Sequence, residues 1–150
     1  MTLAIRRTDS ADPAFTALVR ELDTDLWRRY GDVQAQYAPH NTLAAPLGVV
    51  LAELAGAAAG CGAMKRFDDR SIELKRMFVA PDHRRAGVGR AVVAALEAWA
   101  RELGHARVVL ETGTLQHEAI GLYERLGFVR IPAFGPYVDL PASVCMAKPL

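Results

Sequence analysis

Apolar positions change their period along this chain, and each change predicts an element. Leu3, Ile5 and Arg7 alternate as a short strand. Asp12 then offers a helix cap with Pro13 at the first helical position, and Phe15, Leu18, Val19, Leu22, Leu26 and Trp27 keep a helical stripe to about Arg29. Gly31 ends that helix, and residues 32–42 read as a loop or a short second helix. Residues 47–54 and 60–67 read as two strands joined by a turn of Gly56 and its alanines. Asp68, Asp69 and Arg70 turn the chain into a third strand over 71–79, completing an antiparallel meander. Strand alternation puts Glu73, Lys75 and Met77 on one face, and Leu74, Arg76 and Phe78 on the other.

Pro81 stops that strand, and from Val88 the period becomes helical through Val92, Leu96, Trp99 and Leu103, with Gly104 as a left-handed cap. A buried-type strand follows over 106–111, and the strand-helix-strand unit predicts a parallel pair. A short helix over 119–126 ends at Gly127, and 128–132 and 143–148 form a final hairpin with a long loop. Trp27 and Trp99 lie on helical stripes and read as core.

Composition narrows the function classes. With 150 residues, 51% of them apolar, the chain reads as one folded domain over 1–150. A net charge of +1 gives no global basic field, so no nucleic acid is expected as a partner. The two cysteines, Cys61 and Cys145, form no metal-ligand or redox spacing, which points to reduced thiols in a cytoplasmic protein and to no bound metal. The first twelve residues lack an apolar signal-peptide core, and the apolar run over 43–63 is broken by Pro46, Glu53 and glycines, so no membrane span is expected.

The loop between strand and helix carries the chemistry. Gly87 and Gly89 leave the backbone open to close approach, and the first N–H groups of the helix lack internal partners at the positive end of its dipole. Arg84, Arg85 and Arg90 add charge, so the loop suits a phosphate or pyrophosphate. The dinucleotide fingerprint fails because Val92 replaces its third glycine, and no nucleoside-triphosphate loop exists. Arg84-x-x-Gly87-x-Gly89, after Phe78-Val79-Ala80-Pro81, resembles the coenzyme A pyrophosphate loop of the GNAT superfamily of acyl-CoA N-acyltransferases, Gln/Arg-x-x-Gly-x-Gly/Ala. The predicted order of elements also matches that superfamily.

The resemblance implies an α/β (α+β) GNAT-like domain: a mixed, mostly antiparallel, twisted sheet of about six to seven strands with about four helices. It implies acetyl-CoA as cosubstrate, held by Met77, Phe78, Val79, Arg84, Arg85, Ala86, Gly87, Val88, Gly89, Arg90, Gln116 and Tyr123. Strand residues 77–79 would splay from the next strand and bind the pantetheine arm and thioester oxygen through backbone groups. Tyr123, in Ala119-x-x-x-Tyr123-x-x-x-Gly127-Phe128, resembles the family's general acid, and a phenol stays protonated at neutral pH. Gln116 and His117 stand where many members carry a pantetheine-binding asparagine, and Gln116 is the candidate replacement. Glu73 is the leading base, with a cross-strand ion pair as its equal alternative; Glu111 and His117 are weaker candidates.

The loop over 132–137, rich in proline and aromatic residues, either walls the acceptor pocket or is pinned to the core by Phe134. The expected reaction is direct attack of a small primary amine in a ternary complex, with a protein N-terminus or lysine as alternative acceptors. A non-catalytic acyl-CoA-binding module is the rival reading. Dimers are common in the superfamily, but no stripe here specifies a homodimer.

Overall fold

The computed structural model describes residues 2–150. The elements are β1 (Leu3–Thr8), α1 (Pro13–Tyr30), α2 (Gln34–Tyr37), β2 (Gly48–Leu54), β3 (Ala57–Arg66), β4 (Ser71–Val79), α3 (Val88–Glu102), β5 (Arg107–Gly113), α4 (His117–Arg125), β6 (Val129–Ile131) and β7 (Ser143–Pro149). Seven strands form one sheet in the order β1-β2-β3-β4-β5-β7-β6. β4 and β5 are parallel, as a crossover through α3 requires, and the other neighbours are antiparallel. α3 and α4 bury Val92, Leu96, Ile120 and Tyr123 against one face of the sheet. α1 buries Phe15, Leu18, Leu22 and Leu26 against the other. The segment after α1 contains one short helix, α2, flanked by 3-10 turns.

Three local expectations fail for physical reasons. The β2–β3 turn uses only Ala55 and Gly56, both at positive φ, so Ala57, Ala58 and Ala59 belong to β3. A two-residue turn of this kind matches the strand twist and releases the alanines to the ladder. Trp27 is not core: it is 46% exposed, because Phe15, Leu18, Leu22 and Leu26 already fill the sheet-facing stripe and Trp27 lies about 100° further round the helix. Trp99 is partly buried, packed against the first core over Gly48.

Strand β4 breaks the strict alternation read from its sequence. Lys75 pairs with Ala63 and Phe78 with Cys61, so Gly62 alone opposes Arg76 and Met77. This bulge places Arg76 at φ +56°. One extra residue reverses the alternation beyond it. Met77 therefore joins the α3-side core with Leu74, while Phe78 packs on the α1 side, the side on which Arg76 ion-pairs with Asp23 of α1.

Candidate active site

The site is a gap in the sheet. β4 and β5 pair only from Ser71↔Arg107 to Leu74↔Leu110, although β4 continues to Val79 and β5 to Gly113. β5 stays bound to β7 as far as Gly113↔Ser143, and β4 stays bound to β3 through Gly60↔Val79, so the two halves of the sheet diverge. Ala80 N–H donates to Ala59 O across the β3 ladder. Backbone groups alternate along a strand, which turns the amides of Met77 and Val79 toward the gap and leaves Phe78 facing β3. The carbonyl of Val79 accepts from Arg84 Nε at 3.0 Å. An open strand edge beside a cavity is a binding surface for an extended chain bearing amides.

At the end of β4 lies the glycine-containing loop that opens α3. Residues 84–87 are exposed, while Val88 and Gly89 are buried and root the start of α3. Gly87 has φ +79° and nothing within 4 Å of where a Cβ would project, so the backbone is open to solvent there. Arg85 also lies at positive φ, and its exposed side chain, with that of Arg90, adds cations beside the amides. Ala86 is exposed between them. Two residues of the loop also make contacts within the protein. Arg84 folds back over the Phe78 ring, 5.8 Å from its centroid, and braces the loop through Val79. Gly89 lies against α4, where a Cβ would come within 2.9 Å of the end of the Leu122 side chain and push it aside.

Between the diverging strands lies a cavity of about 90 Å³, whose lining includes Tyr30, Glu73, Lys75, Glu111, Tyr123 and Tyr137. Glu73 is buried, and its Oε2 has no hydrogen-bond partner. Burial pushes its carboxyl above the ordinary range, with Lys75 Nζ at 3.8 Å opposing. Lys75 Nζ donates to His40 O at 2.6 Å and to Tyr137 Oη at 3.1 Å, tying β4 to both covering loops. Burial lowers its pKa, against the pull of Glu73.

Glu111, half-buried on β5, accepts from Ser143 Oγ at 2.9 Å. Burial nevertheless raises its pKa to about 7, which makes it a carboxylate able to gain and lose a proton near neutrality. The sequence reading ranked it below Glu73. The signal was present in its place at the end of a buried strand, but the gap that exposes it depends on strand divergence. His117 is exposed at the start of α4 and does not line the cavity.

Tyr123 approaches the same cavity from α4. It is 5% exposed, packs edge-on to Phe128 at 5.6 Å, and burial alone pushes its hydroxyl well above the usual phenol range. It therefore holds its proton at any physiological pH. Gln116 spends its Oε1 on the Gly113 N–H at 2.9 Å, leaving its amide NH₂ for a ligand. Tyr30 Oη, which accepts from Leu115 N–H at 3.2 Å, packs so closely on Gly113 that no Cβ fits. Gly113→Ala is expected to destabilise the protein by about 1–3 kcal/mol, read as a lowered Tm, because it overpacks this corner.

Phe134 packs on Phe67 at 4.9 Å and on Tyr137 at 5.7 Å, so it pins the C-terminal loop while Tyr137 walls the cavity. Gln34, Tyr37 and Asn41 also line it. The GNAT resemblance implies that their segment, 31–46, governs acceptor choice, but it singles out no residue there, since the segment lacks a period. Both thiols are buried and shifted up, Cys61 to about 12. Among the described residues no group of side chains is arranged to hold a metal, and no helix is long and apolar enough to cross a membrane.

Residues 10–128 match the sequence profile of the Acetyltransferase (GNAT) family. The chain is 36% identical over 150 residues to an IAA acetyltransferase of Azospirillum brasilense, covering 99% of this chain and 98% of that one. It is 39% identical over 94 residues to the uncharacterized N-acetyltransferase YsnE of Bacillus subtilis, covering 61% of this chain and 62% of that one. A crystal structure from Klebsiella pneumoniae, assigned as an acyl-CoA N-acyltransferase, superposes with a TM-score of 0.82 at 36% identity, covering 99% of this chain and 97% of that one.

Proposed function

The chain belongs to the GNAT acetyltransferase family, and on that basis we propose that it transfers an acetyl group from acetyl-CoA to a small primary amine by direct attack in a ternary complex. The family is one of acyltransferases, and this protein is an acyltransferase rather than a non-catalytic binding module. The observation that carries the finer reading is the open edge of β4, with a proton acceptor on one side of the gap and a proton donor on the other.

The roles follow from the geometry. The amides of residues 86–90, with Arg85 and Arg90, receive the pyrophosphate of the donor. The open backbone of Met77 and Val79, assisted by the Gln116 amide, holds the pantetheine arm along β4 and aims an N–H at the thioester oxygen. Glu111 takes the proton of the incoming ammonium and so supplies a neutral amine. Glu73 and Lys75 keep the charge around it balanced. Amine nitrogen bonds to the acyl carbon, the carbon–sulfur bond breaks, and Tyr123 gives its proton to the departing thiolate; the second proton that nitrogen sheds as the amide forms restores the phenol, so the net products are the amide and the CoA thiol. Neither cysteine supports an acyl-enzyme, because burial keeps both thiols protonated.

The acceptor is read as a small molecule because Tyr137 and the segment after α1 close over the cavity, and because one relative is named as an IAA acetyltransferase. A CoA-release assay over a panel of amines, amino acids and peptides tests this. Transfer to peptides alone would overturn the small-molecule reading.

Gly87→Val bears on the donor loop separately. A β-branched residue at φ +79° costs about 1–2 kcal/mol and projects toward the anion, so affinity for acetyl-CoA should fall by roughly ten-fold or more. Unchanged affinity by calorimetry would remove the loop from the donor site.

A further inference from the structure

A second cavity, of about 380 Å³, opens beside the first, between α1 and the residues that follow α2. Gln34, Asn41 and Arg76 line both cavities, so the two are chambers of one groove with these side chains at the junction. Phe15, Val19, Trp27 and Leu43 wall the outer chamber. Its volume falls in the range of small-ligand sites, and the half-exposed indole of Trp27 faces it from the flank of α1.

Two further features indicate that this groove receives a ligand. The first is the bulge in β4, which turns the Arg76 guanidinium from the α3 face to the α1 face and holds the residue at φ +56°. Positive φ in a long side chain persists only where surrounding structure enforces it, and bulges next to active sites commonly re-aim a side chain. Here the pairing of β4 with β3 on either side of Gly62 enforces it, and Asp23 of α1 receives the re-aimed guanidinium. The second is at the inner end, where Tyr37 Oη and Glu73 Oε2 are buried with no hydrogen-bond partner. Orphaned buried polar atoms cost stability unless a ligand satisfies them, and an ammonium would satisfy Glu73.

We infer that the acceptor is an amine bearing a flat apolar arm, of the arylalkylamine class. Its nitrogen enters the inner chamber between Glu73 and Glu111, and its arm passes Arg76 to lie against Trp27 and Leu43. Asp23 and Arg76 neutralise each other at the junction, so the arm needs no charge. This rests on the amine-acceptor reading above and specifies what it leaves open.

The test compares ethylamine with phenethylamine as acceptors for acetyl-CoA, reading CoA release. The wild type is expected to favour phenethylamine in kcat/KM by roughly ten-fold or more, the discrimination an apolar pocket gives. Trp27→Ala, a half-exposed helix position that tolerates truncation, should lower kcat/KM for phenethylamine far more than for ethylamine. Leu43→Ala, on a different segment, should act in the same direction. Equal kcat/KM for the two amines, or an undiminished preference in both variants, would overturn the arm site while leaving amine transfer intact. Absence of transfer to either amine, from enzyme that binds acetyl-CoA normally, would overturn both readings.

Discussion

Replacing Tyr123 by phenylalanine is expected to lower acetyl transfer by roughly ten-fold or more while leaving affinity for acetyl-CoA unchanged. The hydroxyl is the only atom removed. The ring keeps its contact with Phe128 and its burial against the α3-side core, so the fold has no reason to change. What is lost is a proton held firmly by burial beside the β4–β5 gap, where the proposed mechanism has the thiolate leave. Because general-acid assistance acts in the transition state, kcat should fall and KM for acetyl-CoA should stay. Initial rates over both substrates, with calorimetry for the donor, decide this. A kcat equal to wild type would strip Tyr123 of its role as acid.

Glu111→Gln is expected to reduce kcat/KM for the amine by about a hundred-fold at neutral pH and to abolish the acid limb of the pH profile. Burial raises this carboxyl to about 7, so the wild-type rate should climb as pH rises through neutrality and the base ionises. Glutamine cannot take a proton and removes that dependence. Glu73→Gln should lower the rate but retain the limb, since Glu111 would still titrate. The reverse pattern would transfer the role of base to Glu73.

Stability gives an independent reading of the same groups. A carboxyl raised in the folded protein binds its proton more tightly there than in the unfolded chain. Its stabilising contribution is complete below the ordinary carboxylate range and is lost as pH rises through about 7. Thermal melting should therefore show the wild type losing ground to Glu111→Gln between mildly acidic and mildly alkaline pH. A constant difference in Tm would indicate that Glu111 ionises normally.

The conformation of the loop before α3 was legible because its requirements are local. A proline that stops a strand, a glycine tolerant of positive φ and the first amides of a helix are all fixed by neighbours in sequence. The place of Tyr123 on α4 was legible through its spacing to Gly127 and Phe128, which sets the end of α4 and the edge-on contact. The faces of β4 were not legible. Strict alternation assigns Met77 to the face of Glu73, but Gly62 accepts two opposing residues, and the partner strand alone decides that. The surroundings of Glu111 were not legible for a similar reason: its neighbours Lys75, Glu73, Ser143 and Tyr137 come from two distant segments, 73–75 and 137–143.

By itself, then, the sequence determined the elements, their order, the parallel crossover and the tight loop that opens α3, because periodicity, capping and turn chemistry act over a few residues. Tertiary structure alone decided where β4 and β5 part, which carboxyl lies in the gap with a pKa near neutrality, and that Trp27 borders a groove instead of filling the core. Those outcomes depend on desolvation and on competition between strands for partners, and both are set by groups far apart along the chain.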